Sequence, residues 1–348
     1  MMPVFNKTGP CGRCGQREAA RVLELCPACL KTGCTSELIQ NAHAGRQKYG
    51  LPASPQRDPE GLTCELCANQ CRISEGRIGF CGVRTNRSGR MQSIAPPDTF
   101  LAYLYYDPLP TNCCAGWFCR GSQERGVNLA VFLYGCNFDC LFCQNTSHRS
   151  IDPSCYLSME QLVEAAQAEE VRCVCFFGGS PEPQLPLALK ASREILCRAT
   201  RPIHICWEWN GAGHPSLVRQ AVEISRKSGG TVKFDLKAWS PQLGEALCGV
   251  SITQTYENLS LVASLFQEPD LLTATTLLVP FYVDESEVGP IARFLAGFRP
   301  DFPYSLLVFH PDDRMTDLPV TPKKQVKAAY QAAKRYLRRV NLGNVHLQ

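Results

Sequence analysis

The sequence has no apolar run long enough to cross a bilayer. Its longest apolar stretches, such as "LAVFLYGC" and "ATTLLVPFYV", have the length of buried strands. It also lacks a strong charge of either sign, since 36 Lys and Arg face 32 Asp and Glu for a net +4. That balance gives no electrostatic argument for nucleic acid or an anionic membrane surface. The apolar core of a secretory signal is missing too, because "MMPVFNKTGPCGRCG" turns polar and cysteine-rich at once. These absences lead to the expectation of a cytoplasmic protein without membrane contact. With 45% hydrophobic and 20% charged residues over 348 positions, the composition is that of ordinary globular domains.

Cysteine is what the sequence has in excess, at 21 residues. In a long intracellular chain such a number reads as metal ligands rather than disulfides. Twelve precede residue 120 in clusters, and three form "YGCNFDCLFCQN" over residues 134–145. The other six, Cys155, Cys173, Cys175, Cys197, Cys206 and Cys248, stand in apolar or helical surroundings and read as buried free thiols.

Residues 1–50 are expected to form a zinc-ribbon-like module followed by a helix. Cys11/Cys14 and Cys26/Cys29 are two C-x2-C pairs separated by eleven residues. Four thiolates so spaced suit a tetrahedral zinc, in a segment too short to bury a core of its own. Cys34 is a spare ligand. Residues 51–125 begin with a Pro- and Gly-rich linker and carry a second module. There Cys64, Cys67, Cys71 and Cys81 are spaced C-x2-C-x3-C-x9-C, a complete set for zinc or for an auxiliary iron–sulfur cluster. Cys113, Cys114 and Cys119 in "DPLPTNCCAGWFC" complete a further cluster or brace the module.

From residue 126 to 348 the pattern changes to six short apolar strands, each followed by a helix. Repeated strand-then-helix units imply a parallel sheet with right-handed crossovers. Six units make a partial (β/α)6 TIM-like barrel, an α/β fold preceded by the cysteine-rich metal-binding modules. The polar segments "GCNFDCLFCQN", "GGSPEPQ", "WEWNGAG", "FDLKAW", "VPFYVDE" and "FHPDDRM" each fall at the end of an expected strand. Chemistry therefore collects at the carboxyl ends of the strands.

The spacing C-x3-C-x2-C of Cys136, Cys140 and Cys143, with Phe142 before the last cysteine, resembles the signature of the radical SAM superfamily. The continuation is similar to the pyruvate formate-lyase activating enzyme branch. "CQN", "DLKAWSP", "TTLLVPFYVDE", "FHPDDRMTDLPVTP" and "LGNV", together with "CELCANQCRISEGRIGFCGVR", look most like the radical SAM protein of the AmmeMemoRadiSam system. The resemblance covers residues 60–348. It implies that the three thiolates hold a [4Fe-4S] cluster with one open iron. S-adenosylmethionine (SAM) would bind there and be cleaved to a 5′-deoxyadenosyl radical that takes hydrogen from a protein, an RNA or a small molecule.

The resemblance further implies that Phe142 packs on adenine and that Asn145 belongs to the cofactor site. Gly178, Gly179 and Ser180 stand where a glycine pair and an acidic residue approach the methionine amino group. Here the third position is Ser, and Glu182 follows two residues later. Glu208, Asn210, Asp235 and Lys237 match positions beside the SAM carboxylate, where a monovalent cation is held. Val279 and Pro280 match an adenine wall, and His310 a histidine facing the nucleoside. A flavodoxin or ferredoxin is the implied electron donor. The competing expectation is a zinc-ribbon docking protein on a catalytically silent barrel.

Overall fold

The computed structural model describes residues 8–33, 36–111 and 113–348, so Cys34 lies outside the described residues. The alternating apolar segments assemble one nine-stranded sheet. Its strands are β1 (Thr99–Pro108), β2 (Val127–Leu133), β3 (Tyr156–Ser158), β4 (Val171–Gly178) and β5 (His204–Trp209), then β6 (Val232–Asp235), β7 (Leu272–Leu278), β8 (Tyr304–Val308) and β9 (Val340–Gly343). In space they run β9-β8-β7-β6-β5-β4-β2-β1-β3. β2 and β4 to β9 form one parallel run, whereas β1 is antiparallel to both β2 and β3. The six expected strands are β2 and β4 to β8.

The helices of the barrel are α1 (Met159–Ala166), α2 (Leu185–Arg198), α3 (Pro215–Ser228), α4 (Pro241–Cys248), α5 (Thr253–Leu265), α6 (Glu285–Ala296) and α7 (Lys323–Lys334), and two shorter ones, Pro27–Lys31 and Ser36–His43, precede it. α1 starts at a capping box, in which Ser158 Oγ accepts from Gln161 N at 3.1 Å and Gln161 Oε1 accepts from Ser158 N at 2.9 Å. Strand alternation sorts side chains between two cores. On β5, Ile205 and Trp207 are buried against the helices, with Trp207 stacked on Phe176 at 4.6 Å. Cys206 and Glu208 face the other way, into the barrel. Fully burying an aliphatic side chain such as Val222 of α3 stabilises by roughly 1.5–3 kcal/mol.

Three features depart from the expected pattern. β1 lies inside the region read as linker and second module, and pairs along β2 from Ala102↔Leu133 to Pro108↔Val127. The last helix, which the continuous helical pattern of "TPKKQVKAAYQAAKRYLRRV" extends to Val340, stops at Lys334. Val340–Gly343 instead pairs with β8, which supplies ladder partners to an edge that would otherwise be bare. Residues 109–126 then cross the barrel beneath the amino ends of the strands. Trp117 Nε1 donates to Ser305 Oγ at 3.0 Å, Ser305 Oγ donates to the Cys114 carbonyl at 2.8 Å, and Glu124 meets His204 at 2.8 Å. This segment is a floor.

Both cysteine modules sit on the carboxyl-end side. In the ribbon, Ala20 N donates to Tyr282 Oη at 2.8 Å and Arg21 N to Asp317 Oδ2 at 2.9 Å. In the second module, Ala68 N donates to Ala212 O at 2.9 Å and Asn69 Nδ2 to Asn137 O at 2.6 Å.

Two buried carboxylates fix the loops of this face. Asp139, inside the three-cysteine loop, is 2% exposed and meets His43 Nδ1 and Arg314 Nη2 at 2.8 Å each, Arg149 Nη2 at 3.3 Å and Arg46 Nη1 at 3.6 Å. Burial alone would raise its carboxyl. The hydrogen bond from His43 and the charges of Arg46 and Arg314 overcome that and hold it well below the ordinary carboxylate range. Glu182 is fully buried and accepts from Ser180 Oγ and, at 2.7 Å, from Gly211 N. Desolvation dominates there and pushes its carboxyl up to about 7, against the hydrogen bonds from Ser180 and Gly211.

Asp139→Asn is expected to cost ~3–5 kcal/mol in urea unfolding, because it strands the buried Arg46 and Arg149 charges. Removing the exposed Lys190–Asp98 pair should cost at most ~1 kcal/mol. Glu182 gives a pH-dependent prediction. Its carboxyl is raised on folding from 4.5 to about 7, so its contribution is full below the unfolded value and lost as pH rises through the folded one. The stability of Glu182→Gln relative to the unsubstituted protein should therefore grow between pH 5 and pH 8, by on the order of 3 kcal/mol. A difference that stays flat across that range would contradict the assignment.

Candidate functional site

Each parallel strand delivers its polar loop to the carboxyl end of the sheet, and a cavity of about 200 Å³ opens there. Its walls bring together Cys136, Cys140, Phe142, Cys143 and Asn145 from the loop after β2, with Gly178 and Gly179 after β4. Glu208 and Asn210 join them from β5 and its end, and Asp235 and Lys237 from β6 and its end. A larger groove of about 780 Å³ lies outside the barrel between α6 and α7, and its lining holds no thiol.

Four expected residues do not line the cavity. Ser180 is buried behind it, donating to Glu182 and accepting from Asn210 Nδ2 at 3.0 Å. Val279 is fully buried in the apolar cluster that also holds Phe138, Leu141 and Phe142, and Pro280 beside it is buried as well. His310 is partly exposed, with its Nδ1 4.0 Å from Asp312.

The cysteine loop is held by backbone and side chain together. Asp139 N donates to Cys248 O at 2.9 Å and Leu141 N to Leu247 O at 3.0 Å, which ties the loop to the end of α4. Asn145 Nδ2 donates to Gly178 O at 3.0 Å and joins the first loop to the glycine pair. Gly178 has φ +116°, and a Cβ there would stand 2.6 Å from the Leu133 backbone, so only glycine fits.

The electrostatics are those of a crowded, dry site. Burial, then repulsion from Cys140, pushes the thiols of Cys136 and Cys143 up, the latter to about 12. Cys140 is lowered, first by the hydrogen bond with Cys248 at 3.7 Å and then by the Lys237 charge, against its own burial. Burial disfavours the Lys237 ammonium, but Asp235 at 2.5 Å outweighs it and raises the lysine. The same ammonium stands 5.5 Å from the Phe142 ring centre.

Several lining residues had no motif to announce them. Lys233 pairs with Glu208 at 3.1 Å across β5 and β6, where the two are register partners. Its signal was the period of two, since Lys233, Asp235 and Lys237 alternate along one strand. His148, which burial and then Arg149 push down to about 3, and Trp209 line the cavity as well. Below it, Cys113 Sγ reaches Glu208 Oε1 at 2.9 Å, and Cys113, Cys114 and Glu208 hold their ligand atoms within 4.8 Å of one another. Only the folded floor segment creates that contact.

The cavity lining fits a cationic metal cluster with a polar, zwitterionic ligand. It presents three sulfurs, of which burial and repulsion from Cys140 would otherwise keep Cys136 and Cys143 as thiols. It also presents polar atoms left unsatisfied: Asp235 Oδ1, Trp209 Nε1 and His148 Nδ1 are buried with no hydrogen-bond partner among the described residues. Buried polar groups without partners are rare, and three on residues lining one cavity are compatible with a polar ligand there. In the ribbon, the sulfurs of Cys11, Cys14, Cys26 and Cys29 all lie within 4.8 Å of one another. Desolvation opposes ionisation of Cys11, yet the backbone N–H groups of Cys14, Cys26 and Arg13 bring it down to about 6.

Residues 130–295 match the family profile of the radical SAM superfamily. Over 298 residues, 83% of each chain, the sequence is 24% identical to an uncharacterized protein of Methanocaldococcus jannaschii. Similar solved structures include a domain of pyruvate-formate lyase-activating enzyme from Bacteroides vulgatus, at 19% identity and TM-score 0.39 over 49% of this chain and 98% of that one. Another is SuiB of Streptococcus suis bound to S-adenosylmethionine, at 15% identity and TM-score 0.43 over 62% of this chain. The present chain spans 49% of SuiB. A radical SAM methyltransferase from Sphaerobacter thermophilus aligns at 13% identity and TM-score 0.46, over 62% of this chain and 66% of that one. No described helix is long and apolar enough to cross a membrane. The superfamily match spans the three-cysteine loop and β4 to β7 around its cavity, so this part of the chain is similar to the radical SAM superfamily at the site itself.

Proposed function

We propose that Cys136, Cys140 and Cys143 hold three irons of a [4Fe-4S] cluster and that the cavity beside them binds SAM. When bound, the cluster supplies one electron to the sulfonium, and the cleaved C–S bond leaves a carbon radical that takes hydrogen from the substrate. The remaining work belongs to the chain. The observation that carries this reading is the meeting of three sulfurs with three unpartnered polar atoms in one cavity.

The roles follow from chemistry. The backbone at Gly178 and Gly179 lies open to the cavity, and the unpartnered Asp235 Oδ1 is an acceptor suited to an ammonium. Lys237 and Lys233 are cations suited to a carboxylate, each steadied by an acidic neighbour, and a monovalent cation would bind at Asp235 and Glu208 in competition with those lysines. Trp209 Nε1 is a spare donor. Phe142, only 3% exposed, offers an aromatic face beside Lys237, and the floor segment and the apolar wall with Val279 keep water out. Electrons come from a flavodoxin- or ferredoxin-type donor. The four ribbon thiols hold zinc and set the ribbon on Tyr282 and Asp317.

Anaerobically reconstituted protein with strong reductant should convert SAM to 5′-deoxyadenosine, and Cys143→Ala should drop to the background of cluster-free protein. Glu208→Gln should retain the cluster while SAM cleavage falls by about 10–100-fold, as for other groups that position a ligand. Loaded protein that yields no 5′-deoxyadenosine would overturn the reading and favour a silent barrel.

A further inference from the structure

The three cysteine sets differ in how closely their sulfurs approach. A tetrahedral zinc with Zn–S bonds of about 2.3 Å draws its four sulfurs to about 3.8 Å from one another. The ribbon sulfurs meet that pattern, all within 4.8 Å, with Cys14 and Cys26 at 3.9 Å. Among the described residues, just one other set of three or more ligand atoms closes to this degree, that of Cys113, Cys114 and Glu208. Cys136, Cys140 and Cys143 surround their cavity without closing so far, as thiolates on the corners of an iron–sulfur cube must.

The second module follows the open triad and not the ribbon. Cys64, Cys67, Cys71 and Cys81 all line one small enclosed cavity, walled also by Ile73, Arg84 and Pro183. Among the described residues, no three of these four sulfurs come within 4.8 Å of one another. The wall also holds an unsatisfied donor, since Arg84 Nε is buried with no hydrogen-bond partner among the described residues.

The location of this set is specific. Cys136 N donates to Cys81 O at 3.3 Å, so the last ligand of the closed set and the first ligand of the open set share a backbone hydrogen bond. Gly135 makes that approach feasible, because a Cβ there would stand 2.7 Å from Cys81 O. We infer that Cys64, Cys67, Cys71 and Cys81 hold a second, fully protein-ligated [4Fe-4S] cluster, and not zinc, seated directly against the open one. With all four irons ligated by the chain it has no coordination position for SAM. It is a one-electron group beside the site that consumes one electron.

The inference rests on the radical SAM reading only for its neighbour, and one experiment separates the two. The full chain and its Cys136→Ala/Cys140→Ala/Cys143→Ala variant are reconstituted anaerobically with iron and sulfide, in the presence of zinc. Iron, sulfide and zinc are counted, and Mössbauer spectra recorded. The expected result is about eight irons and one zinc in the unsubstituted chain, and about four irons, four sulfides and one zinc in the variant. The retained iron should show the spectrum of a [4Fe-4S] cluster. About four irons and two zincs in the unsubstituted chain, with an iron-free variant, would overturn the second cluster and leave the open one standing. If both proteins instead hold about four irons, the second cluster stands and the open site falls.

Discussion

Asp139 is the residue on which the arrangement of the site depends. It is the third residue between the first two cysteines of the open triad, and it is buried where an isolated carboxylate would be costly. His43 and Arg46 reach it from the segment between the ribbon and the second module, Arg149 from beyond the cysteines, and Arg314 from the loop after β8. Four side chains from three parts of the chain thus converge on one negative charge. The ion cluster gains little over an apolar core in net energy, but breaking it in part leaves charges buried, so it holds one geometry against alternatives. The geometry so held is that of the loop carrying Cys136, Cys140 and Cys143.

Around that loop the barrel supplies a mouth, and the extra segments close the remaining sides. β1 extends the sheet beside β2, and the floor segment after it fills the amino end, with Trp117 bound to Ser305 and Gly121 packed on Cys173. The ribbon and the second module settle on the carboxyl-end loops. Apolar side chains of the ribbon, Leu23 and Leu30, join the same buried cluster as Phe138, Leu141 and Phe142. The modules are therefore packed on the loops and the apolar cluster that back the site, and are not appendages to it. Such enclosure excludes water from a site whose charges interact the more strongly for being dry.

Much of this was legible in the sequence. The C-x3-C-x2-C spacing and the six apolar segments with polar ends depend on local pattern, and the structure gathers those ends at one mouth. What was not legible depends on pairing between distant segments. β1 reads as an ordinary tyrosine-rich stretch until β2 offers it an edge, and Val340–Gly343 becomes a strand only because β8 needs a partner. Cys113 and Glu208 are 95 positions apart, and no spacing rule connects them. The contributions of Ser180 and Val279 lie one layer behind the cavity, a distinction that side-chain packing decides and a motif does not record. The closed thiol set could be counted from the sequence, but the approach of its sulfurs could be read only from the fold.

The central claim is that three cysteines leave one iron open and that SAM binds at that iron. Electron paramagnetic resonance of the reduced, reconstituted protein tests it most directly, with SAM carrying ¹⁷O in its carboxylate or ¹⁵N in its amino group. The account predicts that SAM alters the cluster signal and that both labels produce hyperfine coupling to it, with neither effect in Cys136→Ala. A reduced cluster whose spectrum is unchanged by SAM, with no coupling to either label, would contradict it.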